Sequence, residues 1–127
     1  MTRDRMVEYL DQMLEAAQQA RSYVAGMNID QFMADRRTQQ AVVLNLVVIG
    51  EAAVRLLRER PAFADENPGI PWRSIRGMRN RIAHGYFDLD INLVWTTVDE
   101  SLPGFVDELQ RIRSDLDPSG LPNLRED

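Results

Sequence analysis

The stretch Arg79-Asn80-Arg81-Ile82-Ala83-His84-Gly85-Tyr86 brings three reactive side chains together within a few residues. His84 is the only histidine of the chain. An imidazole exchanges protons near neutral pH. Arg79, five residues before it, offers a planar fork that matches phosphate oxygens and can stabilise charge developing in a transition state. Tyr86, two residues after it, carries a hydroxyl open to modification. An arginine and a histidine suffice to cleave a phosphodiester when RNA's own 2′-hydroxyl is the nucleophile. That route needs no metal, and it restricts the substrate to RNA because DNA lacks the nucleophile. The same spacing also describes a helix-ending histidine bonded to a carbonyl beside a solvated arginine. Spacing alone leaves both readings open.

The net charge is −5, which on the whole-molecule scale disfavours nucleic acid. The distribution differs from the sum. All 15 basic residues are arginine, and Arg73, Arg76, Arg79 and Arg81 crowd next to the histidine. No acidic residue occurs from Asn67 to Phe87. A local basic field of this kind can recruit phosphate while the overall charge keeps the protein soluble. A solvated, arginine-rich helix face is the plainer account of these arginines taken by themselves. The absence of cysteine excludes disulfides, thiolate metal sites and cysteine nucleophiles. A single histidine argues against a histidine metal cluster. The acidic residues show neither calcium-loop nor metalloprotease spacing, so neither metal nor cofactor is expected.

The elements that must position these groups are helices. The chain has 127 residues, 44% hydrophobic and 28% charged, which fits one globular domain. No segment alternates like a half-buried strand, and no Asn-Gly or Asp-Gly hairpin signal occurs. The first helix is expected from about Thr2 to Val24, with Met6, Leu10, Met13, Leu14 and Ala17 as its apolar stripe. Asn28 or Asp30 can cap a short turn through Phe32. The second long helix spans about Arg37 to Arg60 and ends before Pro61, and Asp65 to Gly69 reads as a loop. The third opens at Pro71-Trp72 and runs to about Ala83, with Gly85 as a natural C′ residue. The last runs from about Asp90 or Ile91 to Leu116, and Pro103 should kink or divide it. These features predict an all-α, antiparallel four- to five-helix bundle over residues 1–116, followed by a polar tail over 117–127. The N-terminus has no secretory h-region. The longest apolar run, Ala41 to Gly50, includes Asn45 and is too short to span a bilayer. A cytoplasmic protein with no membrane partner is expected.

From Ala41 to Leu57 only Asn45, Gly50, Glu51 and Arg55 interrupt an apolar sequence. A helix this apolar needs cover on nearly all sides, which predicts a homodimer. At about 100° per residue, Ile75, Met78 and Ile82 share the core face of the third helix, while Arg73, Arg76, Asn80 and His84 lie roughly opposite. Arg79 sits at the edge of the apolar stripe and needs an acceptor. Glu51, the lone acid of the apolar helix, is the natural partner for a buried pair. Arg79 and His84 lie about 140° apart on an ideal helix. They converge only if the backbone turns out near Gly85 or if a partner chain completes the site.

Arg79-x4-His84-x-Tyr86 resembles the R-x4-H-x-Tyr motif of the HepT-like branch of the HEPN superfamily. The flanks are similar too: Ile70-Pro71-Trp72, Ile75-Arg76-Gly77-Met78, Val94-Trp95, Leu102-Pro103 and Ile49-Gly50-Glu51-Ala52. The similarity covers roughly Met6 to Ile112. The resemblance implies an all-α bundle that dimerises through helices near the motif. It implies the toxin of a toxin–antitoxin pair, a metal-independent endoribonuclease with Arg79 and His84 as its catalytic pair. Asn80 would line the same cleft, with Arg73, Arg76 and Glu51 as supporting residues. Whether Glu51 is structural or belongs to the site stays open. The implied partner is a minimal nucleotidyltransferase, the antitoxin, which transfers AMP from ATP onto Tyr86. AMP there would place charge and bulk across the cleft and exclude an RNA phosphate. A non-catalytic HEPN subunit that only partners a nucleotidyltransferase is the competing class. A nucleotide-binding accessory protein is a third.

Overall fold

Thr2 starts the first helix: its side chain accepts a hydrogen bond from the Arg5 amide at 3.1 Å. In the computed structural model, which describes residues 2–116, this helix is α1, Arg3–Tyr23. It buries Met6, Tyr9, Leu10, Met13, Ala16, Ala17 and Ala20 along one side, the expected stripe with Tyr9 added and Leu14 at its edge. Gly26, at φ +80°, supplies the left-handed residue of the following turn. Asn28 then caps the short α2, Ile29–Met33, in a reciprocal capping box with Gln31. Asp35 caps α3, Arg36–Glu59, through the Thr38 amide.

The expected loop before the third helix contains a further turn of helix, α4, Phe63–Glu66. Its apolar anchor, Phe63, is buried and meets Trp72 edge-on at 5.8 Å. The Trp72 indole N–H donates to the Asn67 carbonyl at 3.0 Å. These contacts fix where α5, Trp72–His84, begins. Its other end falls within a residue of the expected place, with Gly85 at the cap, but not through a left-handed conformation. Gly85 has φ −167°, extended backbone that any residue adopts, so it does not end the helix as a left-handed cap. The chain instead enters a 3-10 turn, Tyr86–Asp88. Asp90 caps α6, Ile91–Thr96. A π turn, Thr97–Ser101, leads into α7, Leu102–Leu116. Pro103 explains the widened turn. It has no N–H to give to the carbonyl four residues back, and its ring crowds that carbonyl. The helix is divided there without breaking the path of the chain. The polar tail expected over 117–127 lies outside the described residues.

The described residues contain no strand, and the fold is an all-α bundle of the HEPN type. α3 is central, packed by α1 on one side and by α5 on another, while α7 covers α1. Antiparallel neighbours are tied at their ends. Glu59, at the end of α3, accepts hydrogen bonds from Tyr9 and Arg5 near the start of α1. Arg113 of α7 pairs with Asp11 of α1 at 2.8 Å. As a whole helix, α3 is long and apolar enough to cross a membrane, with mean hydropathy 1.7 over its best window. The expectation had considered only the run from Ala41 to Gly50. Half of the window is buried within the bundle, which gives its apolar character a use as a core helix.

Gly50 sets the distance between α3 and α5. A Cβ built there would lie 2.5 Å from Arg79 Cβ and 2.8 Å from Arg79 Cγ. The Arg79 stem therefore occupies the space that any larger residue would need. Gly50→Ala should force the helices apart and destabilise the fold by about 1–3 kcal/mol, as overpacking does in cores. Urea denaturation measures this; unchanged stability would mean that the seam can widen freely.

Candidate active site on the seam between α3 and α5

Arg79 leaves α5 directly over Gly50, and its head reaches the next residue of α3. Nε donates to Glu51 Oε2 at 2.7 Å. The expected pair thus forms, but it is not buried. The two side chains are 31% and 43% exposed, so the pair sits at the rim of the seam, open to solvent. The partner's reach explains this: Glu51 lies on the flank of α3 where α5 ends its coverage. One Nη1 hydrogen of Arg79 goes to Asn80 Oδ1 at 3.0 Å. A guanidinium has five N–H groups. One serves Glu51 and one serves Asn80, which leaves three directed elsewhere and available to an anion.

Glu51 is held below the ordinary carboxylate range. The Arg79 hydrogen bond is the largest cause, and the positive charges of Arg79, Arg55 and Arg58 add to it against partial desolvation. Arg55 and Arg58 follow Glu51 by four and seven residues, on the same face of α3. Neither was singled out in the sequence, although that spacing was available to find them.

The arginines of α5 do not form one patch. Arg76 joins Arg79, Asn80 and the α3 residues Val54, Leu57 and Arg58 around a hollow of about 300 Å³. Arg73 and Arg81 instead edge an apolar groove of about 470 Å³ that runs between α5 and the α6–α7 segment. Leu46, Ile49, Met78 and Phe105 are among its lining. Arg73 therefore stands apart from Arg79, and its supporting position belongs to a different wall.

His84 is the last helical residue of α5 and is exposed. Helix α5 continues unbroken from Arg79 to His84, a rise of about 7.5 Å. The turn-out needed for the two to meet within one chain comes only after the histidine, and no hydrogen bond joins them. Tyr86 follows on the 3-10 turn, 39% exposed, with its ring edge-on to Phe87 at 5.9 Å. Phe87 is 97% exposed. Among the described residues, no group of three or more histidine or acidic side chains is placed to hold a metal ion.

The all-α bundle is of the HEPN type, and its α5 carries the arginine and the histidine of the resemblance. Within that class, a family model described as "Ribonuclease HepT-like" matches residues 13–112. The chain belongs to this HepT-like family. It is 31% identical over 106 residues to "Probable ribonuclease HepT" of Thermococcus cleftensis, covering 84% of this chain and 94% of that protein. It is 29% identical over 109 residues to a protein of Methanocaldococcus jannaschii named a "Putative RNase", covering 86% and 88%. A protein of Caldanaerobacter subterraneus subsp. tengcongensis with the same kind of name is 29% identical over 104 residues, covering 82% and 90%. No solved structure matches the chain. The family and these names make the chain a relative of ribonucleases.

The depressed Glu51 has a consequence for acid stability. Its folded pKa lies below the unfolded one, so the pair's contribution is present above the unfolded pKa. It is lost as pH falls through the folded pKa. Glu51→Gln should therefore be less stable than wild type at neutral pH, by at most about 1 kcal/mol for so exposed a pair. The gap should close on acidification below the carboxylate range. Urea midpoints of both proteins at the two pH values measure it, and a gap that stayed constant would show that charge is not its source.

Proposed function

We propose that this chain is an endoribonuclease that uses the RNA 2′-hydroxyl as nucleophile and works as the toxin of a toxin–antitoxin pair in the cytoplasm. The observation that carries the reading is the state of Arg79. It is held in place by Glu51 and Asn80 yet retains three N–H donors, on a helix that itself carries no acidic residue. His84 takes the proton from the 2′-oxygen, which attacks the adjacent phosphorus. The bond from phosphorus to the 5′-oxygen breaks; that oxygen takes a proton from water, and the His84 imidazolium returns its proton to the solvent. The product is a 2′,3′-cyclic phosphate and a free 5′-hydroxyl. Arg79 stabilises the extra negative charge on the pentacovalent phosphorus as it forms. Both groups belong to the chain, so the route calls on no metal.

The two groups point in different directions along one helix, which supports a site completed by a second copy. The apolar face for such a dimer is at hand. Leu44 and Val48 of α3 are 63% and 37% exposed and lead, at helical spacing, to Glu51. Pairing this face would set a second copy against α3, next to Glu51 and the seam where Arg79 stands.

Tyr86 is the proposed off switch, modified with AMP by a cognate minimal nucleotidyltransferase. It is reachable, whereas Tyr9 is buried and bonded to Glu59. The bond that forms joins the phenol oxygen to the α-phosphorus of ATP, and pyrophosphate leaves. The adduct adds negative charge two residues from His84, where a phosphate must come.

Activity on RNA in the presence of a chelator tests the chemistry. His84→Ala should lower the rate by about 10²–10⁴-fold and Arg79→Ala by about 10²-fold or more. Each mutant chain is inactive alone, but refolding the two together should restore activity if a site takes Arg79 from one copy and His84 from the other. No restoration would place both groups in one chain. Equal RNA breakdown by wild type and His84→Ala, or none by either, would leave a non-catalytic subunit. Mass spectrometry after co-expression with a nucleotidyltransferase encoded beside this chain should find AMP on Tyr86. An adduct confined to Tyr23 would remove the switch.

A further inference from the structure

The hollow between α3 and α5 has a charge balance that the catalytic pair does not explain. Three guanidinium-bearing residues line it: Arg58 from α3, and Arg76 and Arg79 from α5. Val54 and Leu57 supply apolar wall, and Asn80 adds an amide. Glu51 is the one acid engaged here, and its hydrogen bond goes to Arg79. Arg58 and Arg76 make no ion pair among the described residues, in contrast to Arg5, Arg60, Arg111 and Arg113, which all do. The hollow thus holds an excess of positive charge in a chain of net charge −5. The helices fix it in place, because the Arg79 stem is seated on Gly50 and cannot withdraw. Like charges held together without counter-charges favour an anion between them.

The direction along α5 gives the anion its place. Arg76 lies one turn before Arg79, about 4.5 Å along the axis, and His84 lies about 7.5 Å beyond Arg79 on the other side. A strand laid along the helix meets the hollow on the Arg76 side of Arg79, away from the histidine end of the same chain. We propose that Arg58, together with Arg76, binds the RNA backbone phosphate that neighbours the scissile one, on the Arg76 side of Arg79. This rests on the ribonuclease reading and extends it. The substrate is a strand with at least one phosphate beyond the bond that is cut. Arg58 is a positioning residue that acts on binding, not on the reacting atoms.

The test measures binding without cleavage. A fluorescent single-stranded oligonucleotide with 2′-O-methyl groups cannot react, and its affinity is read by anisotropy across a range of salt concentrations. Arg58→Ala should weaken binding about tenfold, the loss of one charge-assisted contact. It should also reduce the slope of log K against log salt by about 0.7, the value for one phosphate contact on a single strand. Arg58→Lys keeps the charge and should restore the slope, which a merely structural role for the side chain would not do. An unchanged slope in Arg58→Ala would overturn the proposal. So would competition by ATP or inorganic pyrophosphate that depends on Arg58 while oligonucleotide binding does not, because the hollow would then be a site for small anions. These results stand apart from the chemistry. If His84→Ala keeps full RNase activity, the catalytic reading falls while the slope still reports on the hollow.

Discussion

The stem of Arg79 packs against Gly50 more closely than any side chain at that position would permit, and the geometry of the site follows from it. A glycine in the middle of a helix costs roughly 0.5–1 kcal/mol relative to alanine, so a buried helix carries one where close approach is needed. Here the approach brings the Cβ and Cγ of an arginine into the groove of α3. With its stem confined, the guanidinium has little room to roam, and Glu51 on the following residue of α3 takes hold of its Nε. One residue thus sets the helix spacing and the next sets the orientation of the head. The remaining N–H donors face out from the seam with little rotamer freedom left to lose, which lowers the entropy cost of binding an anion.

Helix α3 performs several tasks at once because its faces differ. One side carries Val42, Leu46, Ile49, Ala53 and Leu56 into the core. Another carries Gly50 and Glu51 to α5. Beyond Glu51 the same helix presents Arg55 and Arg58, and before it Leu44 and Val48 stand exposed. An exposed apolar face, a clamp for Arg79 and a basic wall are therefore continuous along one rigid element. Any shift of α3 moves all three together. The acids are arranged to match. Several of those elsewhere pair with arginines away from the seam, as Glu66 does with Arg60 and Asp11 with Arg113.

The Glu51–Arg79 pair was legible in the sequence because each residue was anomalous where it stood. Glu51 was the lone acid in the apolar run from Ala41 to Leu57, and Arg79 was a lone cation on the edge of an apolar stripe. Burial patterns make such anomalies visible, since an unpaired charge in that setting needs a partner. The helix starts at Thr2, Asn28 and Asp90 were legible for a similar reason: capping chemistry is local. The features that were not legible depend on packing across the chain. Helix α4 forms because Phe63 finds Trp72, which the loop sequence does not announce. The π turn follows from Pro103 meeting a continuous helix rather than a break. The end of α5 was assigned to the wrong property of Gly85, since the observed backbone is extended. The division of the arginines between two walls needs the position of α6 and α7, which periodicity within α5 cannot supply.

An acid beside the proposed phosphate site looks self-defeating, since Glu51 would repel an anion approaching Arg79. The arrangement resolves this through what the carboxylate is already doing. Its charge is directed at the Nε side of Arg79, with Arg55 and Arg58 close enough to hold it ionised and to offset it. In the proposed site an anion would meet the opposite edge of the guanidinium and the charge of the neighbouring arginines. Arg79 consequently has two electrostatic functions, to supply donors and to mask Glu51. Removing the arginine does more than delete donors, because it leaves an uncompensated carboxylate facing the incoming phosphate. Glu51 contributes order at a distance from the anion, and the same residue would become an inhibitor of binding without its partner. That dependence makes the pair, rather than either residue alone, the unit on which the site is built.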